Sequence, residues 1–206
     1  MRLGLFGGTF DPVHYGHLLL ADCCREQCRL DEVWFVPAAI PPHKQRELTP
    51  TAARLEMLEL AIGGYEPFSV CRWEIERGGL SYTVETLAQV RSRRPDAELF
   101  FLLGGDALAD LPDWREPGRI CSLATLVVVR RPQSPEPDFT PLSTFVDEAG
   151  LDRLRQHVVE MPQIELSSRA LRERVGDRQS IRFRTPRAVE KYIETHELYR
   201  ATPATG

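Results

Sequence analysis

Gly7-Gly8-Thr9-Phe10-Asp11-Pro12-Val13-His14-Tyr15-Gly16-His17 lies directly after the apolar run Leu3-Gly4-Leu5-Phe6 and directly before the helix-like Leu18-Leu19-Leu20-Ala21. Strand, glycine loop, helix start is an order suited to binding phosphate. Paired glycines let the backbone turn tightly and approach a ligand, and a helix N-terminus aims unpaired N–H groups and a positive dipole end at an anion. His14 and His17 are spaced to project the same way from a first helical turn, so both imidazoles can donate to one phosphate chain. The loop lacks the third glycine of the dinucleotide fingerprint and the Gly-Lys-Ser/Thr ending of a P-loop. The histidines take the place of that lysine. Zinc ligation by the pair, completed by Asp11 or His43, is the alternative, and it leaves Gly7-Gly8 without a purpose.

Outward from this loop, apolar runs alternate with helical patterns. The opening helix ends near Cys28-Arg29, and Glu32 to Pro37 reads as a second buried strand. Ala38 to Lys44 is irregular because Pro41 and Pro42 interrupt it. A helix starts at about Thr51, carries Leu55, Leu58 and Ile62 on one side and stops at Gly63-Gly64; Phe68 to Ile75 then alternates like a strand. Ser81 or Thr83 is a natural N-cap for a helix closed by Pro95, and Glu98 to Leu103 is an apolar strand that opens onto Gly104-Gly105-Asp106. Thr125 to Val129 is another such strand, and the proline-rich stretch from Arg130 to Pro141 is a surface loop. Gln163 to Leu166 is strand-like before a helix at Ser167, and Thr185-Pro186 provides a cap and first-turn proline for a helix with Val189, Tyr192, Ile193 and His196 on one face. Such alternation implies an α/β fold, an open and mostly parallel sheet with helices on both faces, with ligands at the carboxyl ends of the strands.

Composition sets the bounds. The chain has 206 residues, 42% of them hydrophobic, enough for one domain over 1–200 with a small helical subregion at about 167–199 and a flexible tail at 201–206. A net charge of -4 gives no general attraction to nucleic acid, so a bound anion must be held by a local basic cluster. Cys23, Cys24, Cys28, Cys71 and Cys121 form no C-x-x-C pair and read as reduced thiols. Neither a signal pattern nor a membrane-length apolar run is present, so a cytoplasmic location is expected.

Three expected strand ends converge on one crevice: the opening loop, Gly104-Gly105-Asp106, and Ser167-Ser168 with Arg172. Together they offer imidazoles, a guanidinium, helix N-termini and a carboxylate, the inventory for a nucleoside triphosphate with its metal. Taken singly, Asp106 reads equally as a helix cap, and Arg172 with Arg169 and Arg174 reads as a solvated helix face.

The segment Gly7 to His17 resembles the signature of the nucleotidyltransferase superfamily with its His-x-Gly-His element. Ser167-Ser168-Arg169-Ala170-Leu171-Arg172 is similar to that superfamily's second motif, Ser-Ser-Thr-x-Ile-Arg. Pro41-Pro42-His43-Lys44, Ser81-Tyr82-Thr83, Gly105-Asp106 with Leu111-Pro112-Asp113-Trp114, and Ala188 to Ile193 resemble the bacterial nicotinate mononucleotide adenylyltransferases. The resemblance covers nearly the whole chain and departs from the pattern where Arg169 replaces the motif's threonine and Leu171 its isoleucine.

It implies a Rossmann-like nucleotidyltransferase fold and adenylyl transfer from ATP to nicotinate mononucleotide, with no covalent enzyme intermediate. Mg²⁺ would be held mainly by the ATP phosphates, with no metal ligands among the side chains. The implied catalytic set is His14, His17, Lys44 and Arg172. ATP would meet Gly7, Gly8, Thr9, Phe10, His14, Gly16, His17, Gly104, Gly105, Asp106, Ser167, Ser168 and Arg172, with Gly16 leaving room for adenosine. The mononucleotide would meet Thr9, His43, Lys44, Ser81, Tyr82, Thr83, Trp114 and Arg115, with Trp114 stacking on the pyridine ring and Thr83 receiving its carboxylate. No nucleic acid or membrane partner is expected, and a homo-oligomer stays open.

Overall fold

The structure, a computed structural model, describes residues 1–42 and 48–200. Six strands, β1 (Arg2–Gly8), β2 (Glu32–Pro37), β3 (Phe68–Val70), β4 (Glu98–Gly104), β5 (Thr125–Arg130) and β6 (Val158–Glu160), form one sheet in the order β3-β2-β1-β4-β5-β6. Every pairing is parallel. The chain moves outward from β1 through β2 to β3, then crosses back to place β4 on the other side of β1. The carboxyl ends of β1 and β4 therefore flank the point where strand order reverses, the crevice in which such sheets bind ligands.

The apolar runs form strands buried on both faces. Phe6, Val33, Phe35, Phe100, Leu102, Val127 and Val129 point to one side, where they meet α1 (Tyr15–Gln27), α2 (Thr51–Ile62), α8 (Ser168–Gly176) and α9 (Arg187–Thr195). Leu3, Leu5, Trp34, Val36, Leu99, Phe101, Leu103, Leu126 and Val128 point to the other, where α4 (Thr83–Arg93), α6 (Pro117–Leu123) and α7 (Glu148–Gln156) pack. Gly4 takes the place of a large residue on the first side because a Cβ there would lie 2.8 Å from Leu30 and 3.2 Å from Val33. Leu171, the departure from the motif's isoleucine, is 1% exposed and joins the same core. Among the described residues no helix is long and apolar enough to cross a membrane.

Four local expectations need correction. The strand expected over Phe68 to Ile75 ends at Val70, where pairing with β2 stops; the chain then coils into α3 (Trp73–Arg77), with Trp73 edge-on to Trp34 at 5.6 Å. The alternation of Gln163 to Leu166 is real, since Ile164 and Leu166 pack on the core, but the segment joins no ladder, and the sixth strand is β6 instead. Tyr82 rather than Ser81 or Thr83 occupies the N-cap of α4, and Pro186 rather than Thr185 that of α9. The hydroxyls of Ser81 and Thr185 are used elsewhere: Ser81 accepts the Ala39 N–H at 2.9 Å and Thr185 donates to the Val13 carbonyl at 2.8 Å.

Candidate active site

The opening loop is shaped by its aromatic residue. Phe10 adopts a left-handed backbone, φ 49, which turns its ring inward to 1% exposure among Phe6, Phe35 and His17, with centroids 5.5, 5.7 and 5.1 Å away. Burying a ring offsets the cost of that conformation, on the order of 1 kcal/mol. Gly8 is required beside it, because a Cβ there would lie 2.8 Å from the ring. The expectation that Phe10 meets ATP is therefore corrected for its side chain, which is a core anchor that tilts the loop.

After a cis Asp11–Pro12 peptide, His14 forms the N-cap of α1. Its N–H donates to Nδ1 of His17 at 3.2 Å, and the two rings stack with centroids 3.7 Å apart. An Nδ1 that accepts a hydrogen bond carries no proton, so the proton of neutral His17 sits on Nε2. His14 is 5% exposed, and its own Nδ1 is buried without a hydrogen-bond partner among the described residues. Burial, followed by the charge of Arg131, lowers its pKa to about 4, so the ring is neutral near pH 7. Gly16 is explained by this ring: a Cβ would meet its Cε1 and Nδ1 at 3.0 Å. The room a glycine provides there is occupied by His14.

The second motif reaches the same loop from the far end of the sequence. Ser167 caps α8 by accepting the Ala170 N–H at 3.1 Å. Ser168 donates to the Pro12 carbonyl at 2.9 Å, and Arg172 Nη1 to the Asp11 carbonyl at 2.6 Å. With Thr185 on Val13, three successive carbonyls of the loop are held by one C-terminal segment. Ser168 and Arg172 thus position the loop as well as bordering it. Arg169 is exposed on the first turn of α8.

Across the reversal point, Gly104 and Gly105 end β4 and begin α5 (Gly105–Asp110), and an added Cβ at either meets nothing within 4 Å. Neighbouring protein atoms do not require these glycines; they border open space. Asp106 is exposed in the first turn of α5, whose N-cap is Gly104, so it is not the cap.

Between β1 and the head of α4 lies a cleft of about 500 Å³, within the usual range for a small-molecule site. Gly7, Gly8, Thr9, Ser81, Tyr82, Thr83, Trp114 and Arg115 line it. Trp114 stands edge-on to Phe101 at 6.1 Å, and Arg115 lies over the Tyr82 ring while pairing with Glu85 at 2.8 Å. Glu74, 6% exposed, also borders the cleft and accepts the Thr86 hydroxyl; its pKa is raised by burial, opposed by hydrogen bonds from Thr86 and Ser81. A larger cavity, about 1080 Å³, lies between α8 and α9 with Arg178, Glu190, Glu194 and Arg200 on its walls, and it includes none of the strand-end residues. The chemistry gathers at the smaller cleft. His43 and Lys44 lie outside the described residues.

Arg54 is a positioning residue that the sequence did not reveal. It is 0% exposed, and its guanidinium donates to the carbonyls of Thr9 at 2.9 Å, Ala39 at 3.2 Å and Thr49 at 3.1 Å. It ties the loops after β1 and β2 to the start of α2. The one available signal was an arginine beside the apolar stripe of α2, which reads as solvated until its loops are placed.

Residues 5–174 match the model of the cytidylyltransferase-like family. A Thermomicrobium roseum protein named nicotinate-nucleotide adenylyltransferase is 45% identical over 204 residues, which span 98% of this chain and 94% of the relative. One of the same name from Thermus thermophilus is 46% identical over 200 residues, spanning 97% and 100%. The chain belongs to the nicotinate-nucleotide adenylyltransferase family. It is accordingly an enzyme of the nucleotidyltransferase kind. Its fold is similar to that of Plasmodium falciparum nicotinic acid mononucleotide adenylyltransferase, solved complexed with APC and with NaAD, at TM-score 0.75, 19% identity and 96% coverage of this chain.

Proposed function

We propose that the protein transfers the adenylyl group of ATP to nicotinate mononucleotide, forming nicotinate adenine dinucleotide and pyrophosphate, by direct in-line attack of the mononucleotide's 5′-phosphate on the α-phosphorus. The observation that carries this reading is the meeting, at the reversal point between β1 and β4, of a histidine-closed phosphate loop with an aromatic-walled cleft. A phosphate nucleophile is already an anion, so the protein needs neither a nucleophile of its own nor a strong base. Its work is alignment and stabilisation of charge on the α-phosphoryl group and the departing pyrophosphate.

His17, whose Nδ1 accepts the His14 N–H, presents Nε2 as a directed donor for that charge. His14 offers a second ring beside it, and Arg172 and Lys44 provide formal positive charge. Gly104, Gly105 and Asp106 border the space for the adenosine. Among the described residues no three His, Cys, Asp or Glu side chains gather to hold a metal. The imidazole and guanidinium donors suit phosphate oxygens, and Mg²⁺, when bound, would be held mainly by the ATP phosphates and water and would neutralise charge on the leaving group.

In the cleft, Trp114 suits stacking on a flat pyridine ring, and Thr83 with the leading amides of α4 suits an anion. Donor-only contacts favour a carboxylate, because an amide NH₂ facing an N–H leaves both unpaired. Trp114→Ala is expected to raise KM for nicotinate mononucleotide about tenfold or more while leaving KM for ATP within about twofold, as loss of one stacking partner costs about 1–3 kcal/mol. Equal rises for both substrates would remove Trp114 from the mononucleotide site.

A further inference from the structure

We propose that Tyr199 is a positioning residue of the phosphate loop, acting through the buried carboxylate of Asp11. The proposal rests on the adenylyl-transfer reading only for its kinetic arm. Asp11 is 0% exposed in the middle of the loop, and Tyr199, separated from it by 188 positions, donates its hydroxyl to Asp11 Oδ1 at 2.7 Å. The carbonyl of the same residue takes the Arg172 guanidinium at 2.6 Å. One loop residue is thus gripped at both its side chain and its main chain from the C-terminal segment. The Thr49 side chain, just before α2, lies beside the same phenol. Burial and the neighbouring Asp11 charge raise the phenol's pKa, which keeps it a donor throughout the neutral range.

The loop needs such external support. It leaves β1 after Gly8 and enters α1 at Tyr15, and its carbonyls at Asp11, Pro12 and Val13 are taken by Arg172, Ser168 and Thr185 rather than by one another. The Tyr15 N–H in turn bonds to the Arg184 carbonyl at 3.1 Å. The His14 and His17 rings follow immediately, so their place is set by this frame. Tyr199 lines neither the cleft nor the open space at Gly104, and its ring packs on the core that holds Leu171. It is held in a left-handed conformation, φ 63, a backbone cost that the surrounding contacts must sustain.

The test is Tyr199→Phe, which removes the hydroxyl and keeps the ring. With ATP, Mg²⁺ and nicotinate mononucleotide, kcat is expected to fall by about tenfold or more with KM for the mononucleotide within about threefold, because small misplacements of aligned groups cost this much or more. Amide hydrogen exchange over residues 9–17 is expected to accelerate by about tenfold or more while that of β4 is unchanged. The double variant Asp11→Ala/Tyr199→Phe is expected to be no slower than Asp11→Ala, since the hydroxyl acts through that carboxylate. Should Tyr199→Phe fail to fold, Asp11→Ala, which removes the acceptor and keeps the phenol, is read by the same exchange and turnover measurements for the same changes.

A smaller fall in kcat, unchanged exchange over 9–17, equal acceleration in β4, or an additive double variant would overturn the proposal. If the parent protein shows no turnover with these substrates, the functional reading fails, and the exchange measurement still decides the role of Tyr199.

Discussion

The 3.2 Å hydrogen bond from the His14 N–H to Nδ1 of His17 helps orient that ring and leaves its own N–H on Nε2. His17→Ala is therefore expected to lower kcat by about 10²–10³ with an unchanged circular dichroism spectrum, the scale seen when one preorganised donor is removed. Near-parental turnover would take it out of the catalytic set. The His14 ring takes up its proton near pH 6.5 in the unfolded chain and only at about 4 in the folded chain. Folded stability thus rises with pH across that window, and about 3 kcal/mol of it is lost as pH falls from 6.5 towards 4. Denaturant unfolding should show the stability gap between the parent and His14→Gln shifting by about that amount between pH 7 and 4; parallel curves would contradict the assignment. Both histidines were legible in the sequence because their spacing and glycine context are local. Arg54, Thr185 and Tyr199 were not, because each bonds to a main-chain or carboxylate oxygen that sequence distance conceals.

At the scale of elements, the long apolar runs of β1, β2, β4 and β5 were legible because strands buried on both faces have no polar side to mask them. The three-residue edge strands β3 and β6 and the short helices α5 and α6 carry too few residues for a period to declare itself. The second motif was read as a helix start ready for phosphate. The structure adds that α8 and the turn before α9 are the brace of the opening loop. Thr185, 1% exposed, makes that brace testable. Thr185→Val keeps the shape but leaves the Val13 carbonyl without its donor, at a cost of about 1–3 kcal/mol. Thermal unfolding at neutral pH should show the corresponding fall in Tm, and an unchanged Tm would mean that the contact contributes nothing to holding the loop.

For the whole molecule, the strand order fixes function more than any single motif does. Placing β4 beside β1 brings residues 7–17, 104–106 and the cleft at 81–83 and 114 to one end of the sheet, although they are far apart in the chain. Alternating strands and helices announced the class of fold, while the order of the strands and the bracing of the loop depended on contacts with no local signature. In a protein with net charge -4, the groups proposed to bind phosphate form a local cluster at that one end. The account stands or falls on the pair of substrates assigned there. The direct measurement is pyrophosphate release by the purified protein with ATP and Mg²⁺ against nicotinate mononucleotide, nicotinamide mononucleotide and phosphopantetheine. The account predicts the highest kcat/KM with nicotinate mononucleotide and nicotinate adenine dinucleotide as the product; equal or greater turnover with either of the others would contradict it.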